Sequence, residues 1–341
     1  MSRVRRTVEK SWAALICVTL FLPSIAVAKI DSPPCGSALK NLPSRSPAMP
    51  SGSYFVRSVG AMSESEREKA IEAEFSAGNM PSFLARFVPV HLSGQRPNGT
   101  TIQITICVAP DYLAIGSDVD FMFTPMRLAT ALRIARRYGA MLPTSKMVDA
   151  IYDQASVHLS PQPLPAGDQM RSTAYYAHHN VLVGEQRGEI GASLGELTAG
   201  DKKDLVITNR LWRLPDRVAI YGWHRGSHQP IQPLSTVHGA RYADYSHGVR
   251  LIGAEAYVDG EPRSLLALLD DPQLAPILNG EGAINRVTEL VAELSIAPAE
   301  AVASSATSAT KPGLAALGMR SLGLALLPQG GANVLQQRNP R

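Results

Sequence analysis

Between residues 53 and 296 apolar and polar positions alternate with recognisable periods. The stretch 63–77 is charged and helical. Ser63 stands before it, and Glu66 lies three residues on, the spacing of a capping box. Phe83–Leu92 and Thr101–Val108 alternate and are rich in β-branched residues, which predicts two strands. Pro97, Asn98 and Gly99 mark the turn that makes them a hairpin. Thr124 and Pro125 open a helix to about Tyr138, with Leu128, Leu132 and Ile134 apolar and Arg133, Arg136 and Arg137 outward. Leu142, Pro143 and Thr144 precede a second helix through Met147, Ile151 and Tyr152, and a third is predicted over about 168–187. Leu205–Thr208, Arg217–Trp223 and Val249–Ile252 then read as strands of a second sheet region. The pattern is that of a single α+β domain: a mixed or antiparallel sheet, helices in the middle of the chain and strands on both sides.

The two ends follow other rules. Arg3, Arg5, Arg6 and Lys10 precede an uncharged run from Ser11 to Ala28, which contains Pro23 and ends in Ala26, Val27 and Ala28. Basic start, apolar middle and small-residue exit predict a cleavable signal peptide over 1–28, and hence a secreted or periplasmic protein with no membrane span after cleavage. Residues 29–52, with five prolines and several serines, read as leader or linker. Residues 297–341, rich in Ala, Ser, Gly and Leu, read as a low-complexity, disordered tail.

Charge changes the picture once it is divided. The chain carries a formal +4. The signal peptide and the tail each hold about +3 of it, so the body, 29–296, comes out near −2. A near-neutral body lacks the basic footprint that nucleic acid requires. No motif for a nucleotide cofactor is present. Cys35 and Cys107 remain after cleavage, an even pair able to form one disulfide outside the cytoplasm, or else two free thiols.

Four of the eight histidines fall between residues 224 and 247: His224, His228, His238 and His247. Ser235, Tyr242, Asp244, Tyr245 and Ser246 share that stretch, and Trp212 and Trp223 lie at its edge. His224 emerges at the end of a predicted strand. His238, Asp244 and His247 follow after a loop. Together the four form a candidate ligand set for one divalent metal, zinc favoured, which would lower the pKa of a bound water. Without metal, His238 or His247 becomes a general base oriented by Asp244 and acting on Ser246, Ser235 or water. Tyr221, Trp223 and Tyr245 are candidates to line a cleft, and Asn209 and Arg210 to hold a substrate carboxylate. Lys202 and Lys203 read as a solvated turn. Gly191, Ser193 and Gly195 match the nucleophile-elbow pattern, but the polar residues before them are not a buried strand. Cys107 as nucleophile, and Asp118 with Asp120 as a cation site, are further alternatives with blander structural readings.

The blocks KDLVITN, RVAIYGWH, PIQPLS and HGARYADYSHGVRL, with the upstream PDYLAIGSD and LPTSKMVDAIY, resemble an uncharacterised family of secreted bacterial proteins over about 105–252. That resemblance implies no activity. The residues themselves point to a secreted or periplasmic hydrolase of a cell-envelope or extracellular polymer, peptide or glycan. A non-catalytic binding protein and a metal-free Ser or Cys hydrolase are the alternatives.

Overall fold

The computed structural model describes Cys35 and residues 39–96 and 98–296. The expected signal peptide (1–28) and tail (297–341) lie outside the described residues.

The predicted hairpin forms, with its first strand starting later. β1 (Val88–Gln95) pairs antiparallel with β2 (Thr101–Val108), from Val88 opposite Val108 to Gln95 opposite Thr101. Phe83 and Leu84 instead lie buried in a short 3₁₀ turn, Ser82–Ala85, that opens on Pro81. β12 (Ile252–Val258) adds to the other edge of β2, followed by β13 (Glu261–Ser264), while β5 (Ala140–Met141) pairs with the start of β12. A second sheet has the order β10-β9-β8-β11, built from β8 (Lys203–Leu205), β9 (Ile220–His224), β10 (Pro230–Ser235) and β11 (His247–Gly248). The segment 249–252 therefore feeds the first sheet, not the second. Two small ribbons complete the β structure: β3 (Ala114–Gly116) against β4 (Phe121–Phe123), and β6 (Val157–His158) parallel to β7 (Thr198–Ala199). Mixed sheets and interspersed helices make the fold α+β.

Local chemistry sets the helices. α1 (Gly52–Val59) is capped by Ser51. α2 (Glu64–Ala77) carries the full capping box between Ser63 and Glu66, and ends on Gly78 at φ 84°. α3 (Leu128–Arg137) buries Leu128, Leu132 and Ile134, as the 3.6-residue period requires. α4 (Ser145–Gln154) is capped by Thr144, whose hydroxyl accepts from Met147 N–H. α5 (Thr173–Glu189) follows a 3₁₀ turn at Asp168–Arg171 and is capped by Ser172. α6 (Leu265–Asp270), α7 (Ala275–Leu278) and α8 (Val287–Leu294) close the body. α4 packs on both β1 and β9, so it joins the two sheets. Among the described residues no helix is long and apolar enough to cross a membrane.

The segment read as a linker is tied down where it is described. Cys35 is buried and disulfide-bonded to Cys107 on β2. Leu39 and Leu42 pack on the core. Lys40 N–H donates to Tyr138 O, and Arg45 donates to Asn79, Met49 O and Pro50 O. Proline content sets the extended backbone here, but a crosslink and two half-buried leucines decide where it lies.

Candidate functional site

Lys203 on β8 stands between two neighbours: Gly222 on β9, antiparallel, and His247 on β11, parallel. The approach of β11 depends on Gly248, where a Cβ would sit 2.5 Å from the Tyr112 ring and 2.7 Å from Lys202 Cβ. On the other side, Gly222 adopts φ 112° and Trp223 φ 58°. Positive φ is ordinary for glycine and costly for a buried tryptophan. Trp223 is held there by its N–H to Lys202 O (3.0 Å) and its indole Nε1–H to Asp201 O (3.0 Å). Residues forced into this region recur at functional sites.

The run Asp244–His247 is a tight polar turn. Asp244 Oδ1 accepts from Ser246 N–H (2.8 Å) and from Ser246 Oγ (2.5 Å), the local pattern that aspartate favours. Tyr242 Oη donates to Asp244 Oδ2 at 2.9 Å. His247 Nε2 lies 3.9 Å from the same oxygen. The Tyr242 ring is the hub of the group. His238 stacks on it, with centroids 4.1 Å apart and planes at 8°, and His247 meets it edge-on at 5.7 Å. Backbone pairing fixes His238 in place, since Val218 N–H donates to His238 O. Asp244 and His247 are buried, whereas His238, Tyr242 and Lys203 are half-exposed, so the cluster runs from the surface inward.

Electrostatics divides the labour. Burial opposes ionisation of Asp244, but the His247 ring, the Ser246 hydroxyl and amide, and Lys203 outweigh it and hold the carboxyl at about 2. Burial pushes the His247 imidazole down to about 4, against the attraction of Asp244, and lowers His238 as well. Burial also lowers Lys203, whose Nζ sits 4.7 Å from the Trp223 ring centroid. At neutral pH the site thus presents an ionised carboxylate, two neutral imidazoles and a lysine of weakened basicity. Neither ring nitrogen of His247 has a hydrogen-bond partner among the described residues. Orphaned buried nitrogens are rare and call for an explanation. The Ser246 hydroxyl is committed to Asp244, which makes it a brace for the carboxylate.

His224 stands apart from this group. Its Nε2 bonds Asp149 Oδ1 of α4 at 2.9 Å, and its ring stacks on Tyr152 at 4.7 Å. Tyr221 Oη donates to the same Asp149 oxygen at 2.8 Å, so it belongs to this second group, away from the other aromatics. The structure therefore gathers His238, Asp244, Ser246 and His247, and separates His224 from them. Among the described residues no group of three or more His, Cys, Asp or Glu side chains is arranged to hold a metal ion. His247 offers two ring nitrogens without a hydrogen-bond partner among the described residues.

Trp223 and Tyr245 lie edge to face at 6.5 Å in a small apolar cluster with Met122 and Tyr176. Tyr245 Oη accepts from Leu164 N–H at 2.7 Å, and Tyr245 N–H donates to Met170 O at 3.0 Å. The proline-bearing segment around Leu164 therefore covers this aromatic pair. Asn209 and Arg210 line a separate cavity and are largely occupied. Asn209 Nδ2 donates to Ala283 O, and Arg210 Nε pairs with Glu281 at 2.9 Å.

Other expectations resolve around the site. Lys202 is buried, not part of a solvated turn. β8 is an interior strand of its sheet, and Lys202 Nζ bonds His179 Nδ1 (2.9 Å) and Tyr245 O (2.8 Å). Burial brings this lysine down to about 8 and His179 to about 2. Behind it lies a buried ionic network that periodicity does not reveal. Arg187 pairs with Asp111, Tyr112 Oη donates to Asp204 at 2.9 Å, and Arg250 Nε lies 3.8 Å from Asp204. The Ser193 elbow is an exposed turn after a helix, with Ser193 N–H bound to Glu196. Asp118 and Asp120 bind the N–H and hydroxyl of Ser82 and Ser53, bracing two helix starts. Cys107 is held in the disulfide and is no free nucleophile.

No protein-family model matches the chain, and no curated protein or solved structure matches it either. The class that fold and site define is a disulfide-bonded α+β domain with a half-open His–Asp–Lys cluster set on a buried ionic network.

Proposed function

We propose that this chain is an extracytoplasmic hydrolase whose substrate is a cell-envelope or extracellular polymer of peptide or glycan type. The observation that carries the reading is His247: a buried, neutral imidazole with both nitrogens free, beside an ionised Asp244 that is itself fully braced. A neutral imidazole with an unbonded nitrogen can take up a proton as a general base, and the Asp244 carboxylate, 3.9 Å from Nε2, would favour the imidazolium so formed by its charge. In this reading His238, stacked on Tyr242 and nearer the surface, receives or passes the proton. Lys203 supplies positive charge where an oxyanion would develop. Trp223 at positive φ and Tyr245 wall the inner side, and their covering segment around Leu164 must shift for a polymer to reach them. The signal-peptide pattern and the disulfide both suit work outside the cytoplasm.

The free nitrogens of His247 also support a second, metal-assisted reading, in which His247 and Asp244 contribute ligands to one divalent ion, zinc favoured. One experiment separates the two. The untagged full chain is assayed on peptidoglycan, soluble glycans and peptides, with released amines and reducing ends followed, before and after a chelator. A general-base site keeps its turnover in chelator and loses at least a hundredfold in His247→Gln. A metal site loses turnover in chelator and regains it with zinc. Undiminished turnover in His247→Gln, His238→Gln and Asp244→Asn would overturn both readings.

A further inference from the structure

Away from the Tyr242 hub, the 3₁₀ turn Asn209–Trp212 and the segment 279–285 enclose an open cavity of about 530 Å³. Its walls include Arg210, Trp212, Arg213 and Asn285. The turn is firmly built. Thr208 Oγ accepts from Arg210 N–H at 3.3 Å, Asn279 Nδ2 donates to Asn209 Oδ1 at 3.0 Å, and Trp212 Nε1–H donates to Asn285 O at 2.9 Å. Arg286 covers one side of the Trp212 ring at 5.0 Å from its centroid.

The charge on these walls is unequal. Glu281 is the acidic group beside the turn, and Arg210 neutralises it at 2.9 Å. Arg286 is paired with Glu289 at 3.2 Å. Arg213 is exposed, and its guanidinium has no ion pair or hydrogen bond among the described residues. The side-chain amide of Asn285 is likewise exposed on the same wall.

We propose that this cavity binds a carboxylate-bearing small molecule or chain end in which an amide lies next to the acid, as in an N-acylated sugar acid or a peptide C-terminus. The guanidinium of Arg213 presents a planar fork that matches a carboxylate in bidentate fashion. The Asn285 side chain offers both a donor and an acceptor to the neighbouring amide. Trp212, Leu214 and Ala283 give the apolar wall for the carbon skeleton, and the volume suits a ligand of one or two sugar or amino-acid units. The inference stands whether or not the Asp244–His247 cluster hydrolyses anything.

The Trp212 indole N–H, bonded into the cavity wall, serves as the reporter. The full chain is titrated in ¹H–¹⁵N spectra with N-acetylmuramic acid against N-acetylglucosamine, with alanyl-alanine against its C-terminal amide, and with inorganic phosphate. Saturable shifts of the Trp212 signal by the sugar acid, and not by its neutral partner, support the proposal with a saccharide source. The same contrast for the dipeptide supports it with a peptide source. Arg213→Gln should weaken the responding acid at least tenfold, and Arg213→Lys less, with the thermal midpoint of both variants unchanged because the Arg213 side chain makes no hydrogen bond or ion pair among the described residues, its N–H to Arg210 O being kept by any side chain. Equal shifts from acid and neutral partners, equal shifts from phosphate, no saturable shift at all, or full affinity in Arg213→Gln would each overturn it.

Discussion

Replacing His247 with leucine separates the burial of this imidazole from everything else in the molecule. In an unfolded chain the ring titrates near 6.5, and in the folded protein burial holds it at about 4. As the pH falls below 6.5, the unfolded state takes up a proton that the folded state refuses until about pH 4. Proton uptake by the unfolded state lowers stability, so the folded protein loses stability across that window. At about 1.36 kcal/mol per pH unit, the loss from this one ring is roughly 3 kcal/mol. Asp111 and Asp204, which burial raises to about 6, act in the opposite sense and mask the effect in the wild type: their folded forms take up protons first as the pH falls. The difference between variant and wild type removes that background. Among the groups that hold Asp244 at about 2, His247 comes first, so the variant also lets this carboxyl rise, which adds to the relative gain at the acid end of the range. Leucine also removes two buried nitrogens without partners, each worth about 1–3 kcal/mol when left unpaired. Urea unfolding followed by tryptophan fluorescence at pH 7, 6, 5 and 4 gives the comparison. His247→Leu should be at least as stable as the wild type at pH 7, and its relative stability should rise by about 3 kcal/mol by pH 4. A difference that stays constant with pH would refute the burial and neutrality of His247. A variant clearly weaker at pH 7 would show that its nitrogens are satisfied in solution.

Three further outcomes follow from the geometry. Cys35→Ser or Cys107→Ser opens a crosslink spanning 72 residues; the chain-entropy estimate of roughly 4 kcal/mol predicts a large drop in the urea midpoint, matched by reductant on the wild type. Lys202→Ala leaves His179 Nδ1, Tyr245 O and the Asp201 carboxylate without their buried cation, and should cost about 3–5 kcal/mol by the same assay, whereas a surface-lysine change such as Lys69→Ala should cost almost nothing. Gly248→Ala drives a methyl against Tyr112 and Lys202, so a loss of about 1–3 kcal/mol is expected, together with loss of turnover as β11 moves His247.

How far the sequence reveals this protein depends on the kind of signal. Period and capping were strong at Ser63–Glu66, at Thr144 and along Thr101–Val108, and those elements stand where the pattern puts them. The stretch 224–247 announced a concentration of imidazoles, and two of the four, His238 and His247, converge on Tyr242, while His228 is exposed beside Asp153. What separates His224 is a contact between β9 and α4, a tertiary partner, Asp149, some 75 residues away. The misreading of Lys202 has the same origin. A buried charge beside an interior strand is legible only through its partners, and those of Lys202, His179 and Tyr245, are far from it in the chain. Tyr242 illustrates the other limit. Its role as the ring on which two histidines rest is a matter of side-chain packing, which composition cannot express.

The measurement that bears most directly on the central claim is release of new chain ends from purified peptidoglycan and from soluble peptides and glycans by the full chain, beside His247→Gln, with the fold of both checked by circular dichroism. The account predicts turnover by the wild type on at least one of these polymers, and a loss of at least a hundredfold in a variant that remains folded. Equal rates in the two proteins, or binding without any cleavage across the whole set, would contradict it.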